Sequence, residues 1–195
     1  MEAWFYHIPG LKVVMPATSY DVKGLLKTAV RDNSPVIFIE HKMIYPVKGA
    51  VPEEEYTIPF GKADIKRKGE DITIFAYSNM ILRSLEAAEE LEKDGISCEI
   101  IDPRTLVPLD IGTVVNSIKK TGRLIIVSEA CRRGSVASDI SARVTERVFE
   151  HLKAPVKIVA GLDTPIPYNS TLEQASIPRK ADIIKAVKEL LGEIL

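Results

Sequence analysis

Residues 72–101 read ITIFAYSNMILRSLEAAEELEKDGISCEII, and this stretch decides the fold. It opens with six residues that are mostly apolar, a pattern typical of a strand buried on both faces. Ser78 or Asn79 can cap the helix that follows, because a side-chain oxygen there accepts an orphan backbone N–H. Gly95 ends that helix, and residues 98–101 form a second apolar run. The stretch therefore predicts strand–helix–strand, the repeating unit of a parallel sheet.

The same alternation continues to the end of the chain. We expect right-handed crossovers to place the helices on both faces of one sheet. The further predicted elements are a charged edge strand at 62–67, a helix from Asp110 to Gly122, a strand at 124–127, a helix at 135–151, a strand at 156–159 and a helix at 179–191. Residues 60–195 are thus predicted to form a three-layer α/β domain with its own core.

The first part of the chain predicts one more strand–helix–strand unit, in residues 1–46. Its strands are residues 11–15 and 36–39, and Thr18 or Ser19 caps the helix between them. Helical spacing places five apolar residues on one face of that helix: Val22, Leu25, Leu26, Ala29 and Val30. One such unit cannot cover both faces of its own strands. We therefore expect these residues to be the tail of a larger domain, with residues 47–59 as a solvated linker.

Bulk properties exclude several classes of partner and compartment. A formal net charge of -1 gives no electrostatic reason to expect nucleic acid or an anionic membrane as a partner. No apolar run approaches the ~20 residues that a membrane-spanning helix needs. The first residues lack the basic and apolar blocks of a signal peptide. Cys98 and Cys131 lie in unlike contexts, which favours two free thiols in a reducing compartment, the cytoplasm.

The ends of the predicted strands contain no catalytic pattern. Neither G-x-G-x-x-G nor a P-loop follows any of them. His7, His41 and His151 do not fall at the spacing of a metal site or a catalytic triad, and His7 lies in an aromatic cluster that indicates packing. We therefore predict no catalytic and no cofactor-binding residue among the 195.

One loop has the chemistry of an anion site. Arg132, Arg133 and Gly134 precede a predicted helix start at Ser135, where free backbone N–H groups and two guanidinium groups attract negative charge. The alternative is that Glu129 pairs with one of these arginines and that the segment forms a subunit contact.

Several ordered motifs resemble one family. They are E-A-W-F-x-H-x-P-G-L-K-V-V at 2–14, D-x-K-G-L-L at 21–26, R-D-N-x-P-V-I-F-I-E-H-K at 31–42, I-x-D-x-R-T-L-x-P-L-D at 100–110 and D-T-P-x-P-Y at 163–168. Together they resemble the beta subunit of a thiamine-diphosphate-dependent 2-oxo acid dehydrogenase. Segments 104–110 and 163–168 favour this family over a transketolase or a deoxyxylulose-phosphate synthase.

The resemblance implies a fold and an assembly. It implies the tail of a pyrimidine-binding α/β domain followed by a transketolase C-terminal-like domain, whose mixed, mostly parallel five-stranded sheet has an antiparallel first strand. Thiamine diphosphate and magnesium would lie between this subunit and an alpha subunit. The C-terminal domain would contact a second beta chain and dock the subunit-binding domain of an acyltransferase. The expected compartment is the cytoplasm, or the mitochondrial matrix in a eukaryote.

The resemblance also implies what is missing. In the family, the activating glutamate, the stacking aromatic residue and the active-site histidine precede the matched motifs, so we expect this chain to be inactive alone and to hold no cofactor. Asp32 matches the position of a structural monovalent cation in some relatives, although Ser34 replaces their asparagine. The alternative function is a stand-alone, non-catalytic binding or scaffold module.

Overall fold

The computed structural model describes residues 1–192, in which two sheets are flanked by seven α-helices. In chain order the elements are α1 (Glu2–Tyr6), β1 (Lys12–Val14), α2 (Ser19–Arg31), β2 (Val36–Phe38), β3 (Asp64–Arg67), β4 (Ile72–Ala76), α3 (Asn79–Lys93), β5 (Cys98–Asp102), β6 (Thr105–Val107), α4 (Ile111–Thr121), β7 (Leu124–Cys131), α5 (Val136–Val148), β8 (Lys157–Gly161), α6 (Ser170–Ser176) and α7 (Lys180–Leu191). Short 3-10 turns occupy Lys42–Ile44 and Phe149–His151.

The larger sheet has five strands in the order β3-β5-β4-β7-β8. The last four are mutually parallel, and β3 pairs antiparallel with β5 at one edge. Every residue of β4 and β5 is buried, which explains why β4 is a nearly unbroken apolar run. β5 buries two acidic residues, Glu99 and Asp102, beside its apolar ones. The predicted mixed, mostly parallel five-stranded sheet with an antiparallel edge strand is therefore confirmed.

Two helical layers cover this sheet. Ile81 of α3 and Val187 of α7 belong to the core on one face. Ile118 of α4 and Val144 of α5 belong to the core on the other face. Asp110 caps α4 by accepting the N–H of Thr113 at 3.2 Å. These three layers are the ones that the helical periodicity predicts.

A second, three-stranded sheet has the order β2-β1-β6. β1 and β2 are parallel, as predicted, and Val13 pairs with Ile37. β6 was not predicted, because three residues between Pro103 and Pro108 give too little periodicity to recognise. Since β6 pairs antiparallel with β1, the C-terminal domain completes the sheet of the N-terminal unit.

Helix α2 has an apolar face that residues 1–192 cover only in part. Leu25 is fully buried, but Leu26 is 46 % exposed and Val30 is 79 % exposed. The described residues therefore leave part of the face predicted from helical spacing open. The aromatic cluster of α1 is also only partly packed, since Trp4 is 78 % exposed.

The connecting segment between the units is not wholly solvated. Ile58 is buried in a small core with Val14 and Leu25, and its N–H donates to the carbonyl of Gly24. Tyr56 stacks on Tyr20 with ring centroids 4.6 Å apart. The expectation of a solvated linker therefore fails at its C-terminal end, although the acidic residues 53–55 are exposed as predicted.

The segment between β8 and α7, which was not predicted to be regular, contains the helix α6. Asn169 caps α6 by accepting the N–H groups of Thr171 and Leu172. Within residues 1–192, the helices are all too short or too polar to cross a membrane.

Candidate functional site between the two sheets

A cleft of about 470 Å³ lies between the N-terminal unit and the carboxyl ends of β4 and β7. Ligands of open parallel sheets bind at this end of the strands. We call it the interdomain cleft, and its lining includes Met15, Ile39, His41, Tyr77, Ser78, Asn79, Glu129, Cys131, Leu162, Pro165 and Ile166. Apolar side chains dominate the lining, and the few polar groups come from both units.

One polar pair bridges the cleft. The Nε2 of His41, which precedes the first 3-10 turn, lies 3.0 Å from Oε1 of Glu129 on β7 with hydrogen-bond geometry. It is also 3.0 Å from Oε2, but that second oxygen takes no hydrogen bond from residues 1–192. Among residues 1–192 Glu129 pairs with His41 and forms no ion pair with Arg132 or Arg133, so the alternative of a Glu129–arginine pair is wrong. Because 88 positions separate the two partners, no local pattern could have indicated this pair.

The floor of the cleft is a buried hydroxyl chain. The Tyr77 hydroxyl lies 2.7 Å from Oγ of Ser128 and donates to the carboxylate of Glu2 at 3.2 Å. Burial, followed by the negative charge of Glu2, raises the pKa of Tyr77 well above its ordinary value. Tyr77 therefore stays a neutral hydrogen-bonding group.

Ser78, at the end of β4, has an unusual backbone. Its φ of +53° lies in the region that L-residues rarely adopt. Its side chain makes no capping hydrogen bond to α3, so the predicted cap at this helix start is wrong. The Ser78 Oγ is buried and has no hydrogen-bond partner among residues 1–192. Strained backbone and an unpaired buried hydroxyl at a strand end are both features that accumulate at functional sites.

A separate charged cluster fixes the two units together; we call it the Asp21 cluster. The fully buried carboxylate of Asp21, on α2, lies 2.6 Å from the Lys66 ammonium and 2.7 Å from Nε of Arg104. Lys66 also contacts Asp64 at 2.8 Å and Asp102 at 3.7 Å. Burial acts to raise the pKa of Asp21, but hydrogen bonds from Lys66 and Thr18 outweigh it and lower the pKa.

Asp102 responds in the opposite way. Complete burial, only partly offset by Lys66, raises its pKa to about 7. Its Oδ1 accepts the N–H of Arg104 at 2.9 Å, whereas its Oδ2 has no hydrogen-bond partner among the described residues. Below pH 7 the Asp102 carboxyl is therefore uncharged. The Asp21 cluster then has two negative charges, on Asp21 and Asp64, and two positive charges, on Lys66 and Arg104.

The candidate anion loop is placed at the start of α5, as predicted. Ser135 caps α5 by accepting the N–H of Ser138, and Gly134 has a φ of +60°. Arg133 forms an ion pair with Asp163, and Arg132 is exposed. One of the two guanidinium groups is therefore already engaged, and an anion site here remains a prediction.

The candidate cation position, Asp32, is engaged as well. Its carboxylate accepts hydrogen bonds from the Lys12 ammonium and from the N–H of Ser34. These hydrogen bonds, that of Lys12 first, lower the pKa of Asp32. The Lys12 ammonium supplies a positive charge at the position where a monovalent cation was predicted, so the cation site also stays a prediction.

Two family models match the chain. The transketolase C-terminal domain matches residues 61–183, and the transketolase pyrimidine binding domain matches residues 1–48. A solved split gene transketolase, described as an inactive beta4 tetramer, has a TM-score of 0.74 and 25 % identity; the match covers 97 % of this chain and 60 % of that one.

Curated relatives are more similar in sequence. The acetoin:2,6-dichlorophenolindophenol oxidoreductase subunit beta of Cupriavidus necator is 52 % identical, and the match covers 96 % of this chain and 55 % of that protein. The pyruvate dehydrogenase E1 component subunit beta of Bacillus subtilis is 48 % identical, with 94 % and 56 % covered. The 2-oxoisovalerate dehydrogenase subunit beta of the same organism is 46 % identical, with 97 % and 59 % covered.

The chain thus spans less than two thirds of the length of these relatives, although each match covers almost all of this chain. The resemblance drawn from the motifs is confirmed by this similarity and by the domain matches. The chain belongs to the transketolase C-terminal domain family, and its homologues are the beta subunits of pyruvate, acetoin and 2-oxoisovalerate dehydrogenases.

Proposed function

We propose that this chain acts as part of the beta subunit of a thiamine-diphosphate-dependent 2-oxo acid dehydrogenase. The reaction would be the oxidative decarboxylation of pyruvate or a branched-chain 2-oxo acid. Within that assembly the chain provides subunit contacts, while the catalytic groups come from other parts of the enzyme. The main support is an exposed apolar stripe on α2, in a chain similar to the dehydrogenase and oxidoreductase beta subunits named above.

The α2 stripe is defined by Leu26 and Val30. They lie four positions apart, so they share one face of the helix, and both are substantially exposed. Apolar side chains grouped on one exposed face commonly mark a protein–protein contact. We assign this face to the alpha subunit, because it belongs to the unit that matches the pyrimidine binding domain.

The C-terminal domain carries the other proposed contacts. Phe149, at the end of α5, is 73 % exposed, and Leu172 on α6 is 56 % exposed. We assign surfaces of this domain to a second beta chain and to the subunit-binding domain of an acyltransferase. Both partners are ones that the family resemblance implies.

Thiamine diphosphate and magnesium belong to the proposed assembly. We assign the binding site of the magnesium diphosphate group to the alpha subunit and assign no step through the cofactor to residues of this chain.

The proposal is tested by assembly with an alpha subunit from a relative such as the Bacillus subtilis pyruvate dehydrogenase. Leu26→Asp should weaken the complex about tenfold or more, because a carboxylate would be buried against an apolar partner. Ile65→Asp is the matched control, since it charges an apolar residue of the other domain that is exposed to a similar degree and is assigned to no contact. Light scattering and pull-down measure the complex. Equal binding by wild type and Leu26→Asp would contradict the assigned face.

Catalysis supplies the second test. The chain alone, and the chain with the alpha subunit, would be incubated with pyruvate, thiamine diphosphate and magnesium, and dye reduction would be followed. We expect no turnover by the chain alone. Turnover by the isolated chain would overturn the proposal, whereas binding to an acyltransferase domain without any alpha-subunit contact would favour a scaffold module.

A further inference from the structure

The middle of the connecting segment has no backbone partner. Residues 48–55 are all exposed, and none of them forms a backbone–backbone hydrogen bond within the described part of the chain. We call these residues the strap. On one side of the strap, the N–H of Val47 donates to the carbonyl of Ile44 at 3.0 Å. On the other side, the buried Ile58 donates its N–H to the carbonyl of Gly24 at 3.2 Å. The strap is therefore an exposed segment between two anchored ends.

One side chain holds the middle of the strap. Lys23 of α2 donates hydrogen bonds to three consecutive backbone carbonyls, those of Pro52, of Glu53 at 3.3 Å and of Glu54 at 3.1 Å. An ammonium group has three N–H donors, so these bonds use all of them. The same ammonium lies 5.0 Å from the centre of the Tyr56 ring, which adds a cation–π contact. No other residue in the range 1–192 donates a hydrogen bond to the backbone of the strap.

The remaining polar contact of the strap is weak. Glu55 forms an ion pair with Arg31 at the end of α2, but their side chains are 63 % and 57 % exposed. Exposed ion pairs of this kind contribute little to stability. Hydrogen bonds from a charged donor are stronger than bonds between neutral groups, and Lys23 is only partly exposed. The contact with α2 therefore depends mainly on the Lys23 ammonium.

The strap forms one wall of a pocket of about 310 Å³. The pocket lies at the carboxyl ends of the parallel strands β1 and β2, where open α/β sheets bind ligands. Pro16, Ala17 and Val22 contribute to its lining from the β1 side, and Ile44 contributes from the segment after β2. Val51 of the strap closes the pocket from outside. Movement of the strap away from α2 would therefore open the pocket to solvent.

We propose that the strap opens and closes over this pocket, and that Lys23 is the latch that holds it closed. All three hydrogen bonds run to one ammonium group, so loss of that group releases the strap in one step. Exposed segments with few buried contacts open locally at a lower free energy than the whole fold. Because both ends of the strap are anchored, opening leaves β1, β2 and α2 in place. These contacts lie within one chain, so the inference does not depend on the proposed assembly.

Limited digestion of the full chain with a glutamate-specific protease tests the latch, because the strap contains Glu53, Glu54 and Glu55. Lys23→Met keeps an unbranched side chain but removes the charge and the three donors. When opening is fast relative to cleavage, the cleavage rate follows the open population. We expect Lys23→Met to be cut in the strap about tenfold faster or more than wild type, because charge-assisted hydrogen bonds are lost.

Lys27→Met is the matched control. Lys27 lies one turn further along α2, and its ammonium donates no hydrogen bond to the strap, so this variant should be cut like wild type. Equal cleavage of the strap in Lys23→Met and Lys27→Met overturns the proposal.

Cleavage at Glu86, an exposed residue of α3, reports opening of the whole fold in the same digest. It should stay at the wild-type rate in Lys23→Met. If cleavage at Glu86 rises in the same proportion as cleavage in the strap, Lys23 stabilises the whole fold and is not a latch. If Lys23→Met does not fold, Lys23→Gln decides by the same comparison.

Discussion

Arg104 places its Nε 2.7 Å from Oδ1 of Asp21, and this ion pair joins the end of β5 to α2. Asp21 has no solvent exposure, and the Arg104 side chain is only 13 % exposed. Together with the pairing of β1 and β6, the contact makes the N-terminal unit part of the same folded body as the C-terminal domain.

Breaking this pair should be costly. Asp21→Ala leaves Arg104 and Lys66 buried without their shared carboxylate, so we expect a loss of ~3–5 kcal/mol in the free energy of unfolding. Denaturant titration measures this loss. Glu55→Gln is the control, because it breaks an exposed pair with Arg31 and should cost about 1 kcal/mol or less. Equal losses in the two variants would show that the Asp21 cluster does not hold the units together.

Asp102 should make stability depend on pH between about 4 and 7. Its pKa is about 7 in the folded chain and ~3.9 when unfolded, so the folded state keeps a proton that the unfolded state releases. This contribution to stability is complete below pH ~4 and is lost as the pH rises towards 7. Asp102→Asn mimics the protonated carboxyl and should remove the loss.

The measurement is the difference in Tm between Asp102→Asn and wild type at pH 5 and pH 8. We expect the variant to gain at pH 8 relative to pH 5 by at least ~2–4 °C, which corresponds to ~1 kcal/mol for a chain of this size. Using the difference between the two proteins cancels the titration of the histidines. A constant difference across this range would mean that Asp102 ionises normally in the fold.

Gly69 should not tolerate a side chain. A Cβ at this position would fall far inside van der Waals contact with the backbone of Cys98 and Glu99, which cannot move without disturbing β5. Gly69→Ala should therefore cost ~1–3 kcal/mol or more in the free energy of unfolding. Gly112→Ala, in the first turn of α4, meets only the Asp110 carboxylate at an ordinary 3.6 Å and should gain up to ~1 kcal/mol. Loss of stability in both variants would contradict the packing described around Gly69.

Ser78→Gly should stabilise the fold. Glycine adopts a φ of +53° without strain, and the change also removes a buried hydroxyl that lacks a partner. We expect a gain of roughly 0.5–2 kcal/mol, measured by thermal unfolding. Ser78→Ala removes the hydroxyl but keeps the strain, so it should gain less than Ser78→Gly. If alanine matched glycine, the backbone at Ser78 would not be strained.

Local sequence patterns predicted most helices and strands, because the interactions that form these elements join residues that are close together in the chain. The apolar run of β4 and the capping carboxylate of Asp110 act through neighbours close in the chain. Elements that depend on distant partners were missed or misjudged. β6 was missed because it exists only where β1 lies beside it. The burial of Ile58 in the connecting segment was misjudged because it depends on contacts with Val14 and Leu25.

The sequence by itself determined the α/β class and the family, since periodicity, caps and ordered motifs involve residues in a fixed order along the chain. The antiparallel direction of the edge strand followed only from the family resemblance. Only the tertiary structure decided which charges meet. His41 reaches Glu129 and Arg104 reaches Asp21 across 88 and 83 positions, and each pair forms because packing brings two separate units together. Electrostatic interactions depend on distance in space and on burial, and neither quantity can be derived from separation along the chain.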